Sequence, residues 1–435
     1  MIAILMFKKI IQNKLEKRIK QYFVNHPNVR LIVVAGSVGK TGTKLALGTL
    51  LSEKFSVRMH EGNYNSEIST PMAILGLEVP DNTKSIVGWL RVLRAAKHRA
   101  SKPDDVEIII QELGVDRPGD MKKFARYLKP HFALVSAVTP EHMEFFGTIE
   151  AVAQEEMSVA DFSEFVLINR DDVDSRFAQM ETNPNFTTYG TSGLAEYSLI
   201  PERDDDDMKL SATANAPELA EPLRLTTNMV GQHSLRPIAG AIGVALKLGL
   251  GPEQIVNGVG KIQPAHGRMQ PLRGIDGTTI LDDTYNSSPA AALAALTTLY
   301  EFQDTPQRIA VLGSMNELGE SSQTEHEKLG SLCNPDLLAW VVVVGEEAAK
   351  YLAPAARLGG CQVKVCSNAI EAGAFVRSVT EEGAVILLKG SQGGIYLEEA
   401  VKMLCAMSED HRLVRQSPNW MKLKNDYFSK FPDQS

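Results

Sequence analysis

Two series of short apolar runs, separated by a stretch that breaks their rhythm, restrict the possible fold more than any other feature of this chain. The first series is LIVVAG (31–36), VEIIIQELG (106–114), FALVSAV (132–138) and FVLIN (165–169), with amphipathic stretches such as Lys44–Glu53 and Gly119–Leu128 between them. The second starts near Thr278 and comprises TTILDDTYN, RIAVLGS, WVVVVGE, CQVKVCS and AVILLKGS. Apolar runs alternating with amphipathic helices predict mostly parallel sheets covered on both faces. Each run ends in small or polar residues, where a doubly wound sheet opens its ligand crevice. A length of 435 residues exceeds one core. The chain therefore reads as α/β, with an amphipathic helix at 1–28, a central domain at 29–272, a Rossmann-like carboxy-terminal domain at 273–407 and a tail at 408–435. The change of domain is expected in the glycine-rich RGIDGT, near 270–277.

Composition narrows the function classes. A net charge of −8 argues against broad nucleic-acid binding, which needs an excess of Lys and Arg. Cys333, Cys361, Cys366 and Cys405 form no CxxC pair and read as reduced, mostly buried thiols of a cytoplasmic protein. At the N-terminus the apolar residues precede the charges, the reverse of an export signal. Ile10, Ile11, Leu15, Ile19 and Tyr22 recur opposite Lys9, Lys14, Lys17 and Lys20, which predicts a helix packed on the first domain. Attachment of this basic helix to a membrane surface is the minority alternative. The acidic run ERDDDD (202–207) reads as a solvated turn.

The stretch VVAGSVGKTGTK (33–44) supplies the first chemistry. Gly36-Ser37-Val38-Gly39-Lys40-Thr41-Gly42 follows a strand and opens a helix, the context of a phosphate loop. Glycines let backbone N–H groups turn inward, and the helix start adds partial positive charge. Lys40 would reach terminal phosphates, and the Thr41 hydroxyl would bind magnesium.

In this form, G-[TS]-x-G-K-T, the loop resembles that of the Mur ligases. Further segments follow in family order: GNYNSEISTP (62–71), ELG (112–114), PEHMEFFGTIEAVAQEE (140–156), GQHSLRPIAGAIGVALKLGL (231–250), HGRMQPL (266–272), LDDTYNSSP (281–289), VLGSMNELG (311–319) and LLKGSQG (387–393). The first and the MNELG segment resemble the branch that adds D-alanyl-D-alanine. The resemblance implies an ATP-dependent ligase that activates a carboxylate as an acyl phosphate and captures it with an amine. It implies that Glu112 and His142 hold a second Mg²⁺. It also implies that Arg268 touches the γ-phosphate, that Asp283 binds the ribose hydroxyls, and that Tyr285 and Asn286 line the same edge. Asn63, Asn65, Ser66, Asn316, Glu317 and His326 would face substrates, while Lys389 and Ser391 would take the carboxylate end of the amine substrate.

Several positions depart from the family pattern. Relatives carry a carbamylated lysine fourteen residues after the histidine, where this chain has Glu156. Glutamate offers the same two oxygens and charge, so Glu156 is expected to replace the carbamate at the metal; a solvated helix residue is the alternative. Two asparagines near adenine are Ser234 and Pro237 here, Ala137 stands for another asparagine, and Gln392 for an arginine. Asp282 could equally be a cap or a turn residue. Only about thirty residues precede the loop, too few for a separate uridine-diphosphate-binding domain, so a partner protein, the N-terminal helix or residues 63–71 would compensate. Two alternatives stay open: the same chemistry on a folate-like or peptide acid, or a degenerate nucleotide-binding scaffold.

Overall fold

The computed structural model describes residues 2–431 except 63, 81, 84, 104–105, 180 and 203–207, with the backbone alone for residues 2–6. The described residues form two sheets. The first contains β1 (Arg30–Ala35), β2 (Val57–Met59), β3 (Ile108–Glu112), β4 (Phe132–Val135), β5 (Phe165–Asn169), β6 (Phe186–Gly190), β7 (Tyr197–Glu202), β8 (Leu210–Asn215) and β9 (Leu223–Thr227). Its order is β2-β3-β1-β4-β5-β6-β7-β8-β9. The strands run parallel as far as β7, and β8 and β9 are antiparallel. Part of ERDDDD lies outside the described residues; Glu202 ends β7.

Strand geometry divides β1 between two cores, because successive side chains point to opposite faces. Leu31, Val33 and Ala35 face the helices Ile2–Asn25 and Ile86–Ser101 through Leu15, Ile19, Trp89 and Ala96. Ile32 and Val34 face Leu47, Ile238, Ile242 and Ile255 of the helices Lys40–Leu51, Leu235–Lys247 and Pro252–Lys261. Burial on both faces is why these runs are apolar throughout. The N-terminal helix buries Ile11, Leu15, Ile19 and Tyr22, but Ile10 is 50% exposed. Ile10 was expected on the buried stripe; it lies about 100° around the helix from Ile11 and misses the core.

The second sheet contains β10 (Gln270–Arg273), β11 (Thr279–Asp283), β12 (Arg308–Gly313), β13 (Trp340–Val344), β14 (Val363–Cys366) and β15 (Val385–Lys389), in the order β10-β11-β15-β12-β13-β14. All pairings are parallel except β10 with β11. Since β10 already belongs here, the second unit begins ahead of the expected residue 273.

Residues 408–431 of the expected tail are structured. After the turn Met407–Arg412, the helix Pro418–Phe428 returns to the second domain. Arg415 forks onto the buried Glu398 at 2.9 and 2.7 Å, and donates to the carbonyls of Tyr285 (3.0 Å) and Thr284 (2.7 Å). Lys424, also buried, pairs with Glu399 and Glu398. All four cysteines are free and buried. Among the described residues, no helix is long and apolar enough to cross a membrane.

Candidate active site

The phosphate loop leaves β1 at Gly36, whose φ is 123°, and enters the helix Lys40–Leu51 at Gly39, whose φ is 87°. Both conformations favour glycine. A Cβ at Gly36 would also lie 2.4 Å from Ser136 Oγ and 2.7 Å from Ala137 N, so nothing larger fits. The end of β4 anchors the loop: Ser136 Oγ donates to Val38 O at 2.6 Å, and Thr139 N donates to Ser37 Oγ at 2.8 Å.

Lys40 curls back onto this loop, donating to Gly36 O and, at 3.1 Å, to Ser37 O. Burial works against its charge, but Glu141, Glu156 and Glu112 outweigh burial and hold its pKa above the ordinary lysine value. Arg268, from the far side of the cleft, acts on the same ammonium with opposite sign.

Glu112 ends β3. Its Oε2 accepts from Thr41 Oγ1 at 3.3 Å, and its Oε1 lies 2.8 Å from Lys44 Nζ, with both side chains 3% exposed. Lys44 also donates to His60 O (2.6 Å) and Gly62 O (3.1 Å), tying the loop helix to the segment 62–71. In that segment, Asn65 O accepts from Gly114 N at 3.0 Å, and Ser66 Oγ lies 2.8 Å from Ser69 Oγ. Asn63 is outside the described residues.

The expected second metal set is not brought together. His142, at a φ of 51°, places Nδ1 2.9 Å from Glu317 Oε2 of the second domain and Nε2 3.5 Å from Asp116 Oδ1. Glu156 is buried, so it is not a solvated helix residue; its Oε2 accepts from Gly36 N at 2.7 Å. Burial raises its pKa to about 7, against the opposing pull of Lys40 and the Gly36 N–H. Among the described residues, no three His, Cys, Asp or Glu side chains are grouped to hold a metal ion. Thr41 and Glu112 do share a place, and their oxygen donors suit Mg²⁺, which usually completes its shell with phosphates and water.

On the opposite wall, the Arg268 guanidinium lies 4.3 Å from the centre of the Tyr285 ring. Asp283 Oδ1 accepts from Met269 N at 3.1 Å, and its Oδ2 lies 3.0 Å from Lys389 Nζ. Lys389 is buried and also donates to Asn286 O. Ser391 is buried, donating to Ser287 O at 3.4 Å and accepting from Asn316 N at 2.9 Å. Both residues were expected at the amine's carboxylate; the structure gives them partners inside the domain instead. His326, expected on the rim, is fully buried: Nδ1 donates to Ser322 O and Nε2 accepts from Met315 N, a neutral ring that staples helix to loop. Asn316 donates to Gly393 O at 3.0 Å, while Glu317 stays on the rim facing His142. Asp282 lies within β11, and its side chain caps the turn that follows by accepting from Thr284 N and Oγ1.

At the departures near the adenine side, Ser234 Oγ donates to Val230 O at 2.7 Å. Pro237 presses on Gly42, where a Cβ would lie 3.4 Å from the proline ring. Beside them His233 is half-buried, and its pKa is lowered to about 4 by desolvation, with Asp283 opposing. Sequence reasoning missed Lys44 and Glu141. Lys44 was within reach: it stands four residues after Lys40 and so shares its helix face.

Comparisons with known proteins identify the fold and the family. Residues 34–245 match the Mur ligase middle domain, and residues 267–392 match the Mur ligase, glutamate ligase domain. The UDP-N-acetylmuramoyl-tripeptide–D-alanyl-D-alanine ligase of Bacillus subtilis is 24% identical over 396 residues, covering 89% of this chain and 78% of the relative. The crystal structure of MurF ligase from Thermotoga maritima in complex with ADP superposes with a TM-score of 0.72 at 24% identity, covering 90% of this chain and 83% of that one. Mycobacterium tuberculosis folylpolyglutamate synthase complexed with ADP gives 0.61 at 16% identity, with 89% and 95% covered. With a phosphate loop on one wall and a second α/β domain facing it, this chain belongs to the Mur ligase family, ATP-dependent ligases that form C–N bonds.

Proposed function

We propose that the chain joins a cell-wall precursor carboxylate to the amine of D-alanyl-D-alanine or a similar dipeptide, at the expense of ATP and with magnesium. The observation that carries this reading is the phosphate loop itself, with Lys40 opening its helix, Thr41 beside Glu112, and the second domain reaching over it where Glu317 meets His142. Phosphoryl transfer needs positioned positive charge more than covalent help from the protein. A carboxylate oxygen of the acid attacks the γ-phosphorus and ADP leaves. The amine then attacks the acyl carbon, phosphate departs, and the nitrogen gives up a proton.

In this scheme the loop amides and Lys40 hold the β- and γ-phosphates, so Lys40 must leave the carbonyls of Gly36 and Ser37. Arg268 approaches the γ-phosphate from the hinge, and Asp283, beside Tyr285 and Asn286, reads the ribose. Thr41 and Glu112 would hold Mg²⁺, which when bound supplies charge shielding for the transferred group. Glu156 keeps the first loop amide in place. His142 and Glu317 join the two rims near the incoming amine, with Asn65, Ser66 and Asn316 as further substrate contacts.

The test supplies ATP, UDP-N-acetylmuramoyl tripeptide labelled with ¹⁸O in its terminal carboxylate, and D-alanyl-D-alanine. Phosphate release that requires both acid and amine, with one ¹⁸O appearing in the phosphate, is the expected result. Release that ignores the acid, or label that never reaches phosphate, would overturn the acyl-phosphate route. Turnover with a folate-like acid alone would move the activity to another carboxylate.

A further inference from the structure

One face of the molecule carries charge opposite to the rest. Residues 8–20 and 86–102 contain eleven Lys and Arg against the single Glu16, whereas the remainder holds thirty-four Lys and Arg against fifty-two Asp and Glu. These segments lie on neighbouring helices. The N-terminal helix and the helix Ile86–Ser101 pack side by side. They also end together, through Gln21 with Ser101 and Asn25 Nδ2 with Ala100 O at 2.7 Å. Two helices that finish at one place and pack along their length run in the same direction. Ile86, Val87 and Leu90 therefore lie toward the end where the first helix carries Ile10 and starts in the run IAILMF (2–7).

Exposure sorts this surface into two zones. Ile86 is 63% exposed, Val87 and Leu90 59% each, and Ile10 50%. Lys8, Lys9, Lys14, Lys17, Arg91, Arg94 and Lys97 are exposed beside them. Farther along, Arg91, Arg94, His98, Arg99 and Lys102 line a groove of 560 Å³.

We propose that this two-helix face docks peripherally on an anionic phospholipid surface, with the aliphatic end entering the headgroup boundary and the cations meeting lipid phosphates. Exposed aliphatics adjacent to an excess of cations are the pattern that interfacial helices use. A nucleic acid would satisfy the cations but leave Ile86, Val87 and Leu90 in water, and Trp89, the aromatic that could stack on a base, is buried. A second copy of the face would meet charge of the same sign. The proposal does not depend on which acid the ligase uses.

The test sediments the full chain with vesicles of phosphatidylcholine alone, or of phosphatidylcholine with phosphatidylglycerol, at rising salt. Binding only to the anionic vesicles, and weaker with salt, is expected. Replacing Arg91, Arg94 and Lys97 together by Gln should lower the partition coefficient about 100-fold, at roughly 1 kcal/mol for each charge near the surface. Replacing Ile86, Val87 and Leu90 by Ser should lower it about tenfold and remove the residual binding at high salt. Both variants should keep the wild-type melting temperature and turnover with soluble substrates, since these side chains are exposed on an outer helix and none has been placed in the cleft. No sedimentation with anionic vesicles, wild-type binding by either variant, or displacement from vesicles by single-stranded RNA would each overturn the proposal.

Discussion

On the loop side of the cleft, Lys40 turns its ammonium onto the carbonyls of Gly36 and Ser37 and meets Glu141, Glu156 and Glu112 through space, whereas across the cleft Lys389 is sealed from water against Asp283. One wall holds its cation by weak backbone contacts that an arriving phosphate can replace. The other has already closed its ion pair and presents a finished edge. Reorganisation on nucleotide binding should therefore concentrate in residues 36–44, with the turn 282–286 serving as a fixed template. The same division separates Lys40 from Lys44 on one helix: the first is exchangeable, the second fixed to Glu112.

Five substitutions would break or sharpen that contrast. Lys40→Ala should have the largest effect, cutting ATP cleavage by at least about 10³-fold while circular dichroism stays unchanged; turnover near wild type would remove Lys40 from the chemistry. Lys44→Met leaves the Glu112 carboxylate buried without its cation, and should cost about 3–5 kcal/mol in denaturant unfolding. Adding Glu112→Gln should recover most of that loss, and additive losses would show that the pair is not coupled.

Glu156→Gln probes the loop through pH. The folded pKa of about 7 lies above the ordinary 4.5. The contribution of Glu156 to stability is therefore full below pH 4.5 and lost as the pH rises through 7. Relative to the Gln variant, the wild type should lose about 2 kcal/mol between pH 5 and pH 8; parallel stability curves would mean the acid titrates normally. Asp283→Asn should be mildest, raising the ATP dissociation constant about tenfold with kcat at saturation little changed. An unaltered dissociation constant would end its assignment to the ribose.

Much of this arrangement was legible in the sequence, for a physical reason. The phosphate loop, the strand ends and the order of the segments depend on local geometry: glycines at positive φ, apolar strands, a helix opening at Lys40. What escaped depends on contacts between distant segments. Nothing local in GKTGTK says that Lys44 meets Glu112, sixty-eight residues on. Lys389 and Ser391 offer a cation and a hydroxyl suited to a carboxylate, and His326 a ring suited to the rim, yet they turn inward onto Asp283, Ser287 and Met315. Glu156 has the right spacing for a metal ligand, but its carboxylate reaches the Gly36 amide. Glu317 stays on the rim because its backbone takes a φ of 65°, a conformation its residue type does not announce.

The grip of Arg415 on the carbonyls of Thr284 and Tyr285 gives the last stretch of the chain an unexpected say in nucleotide handling. The turn next to Asp283 is fastened from more than a hundred residues downstream, so the edge that carries Asp283 acquires its final shape only after the helix Pro418–Phe428 has been synthesised and laid down. A nick after residue 412, or a bulky fusion that lifts that helix, would loosen ATP capture without touching a single residue of the cleft.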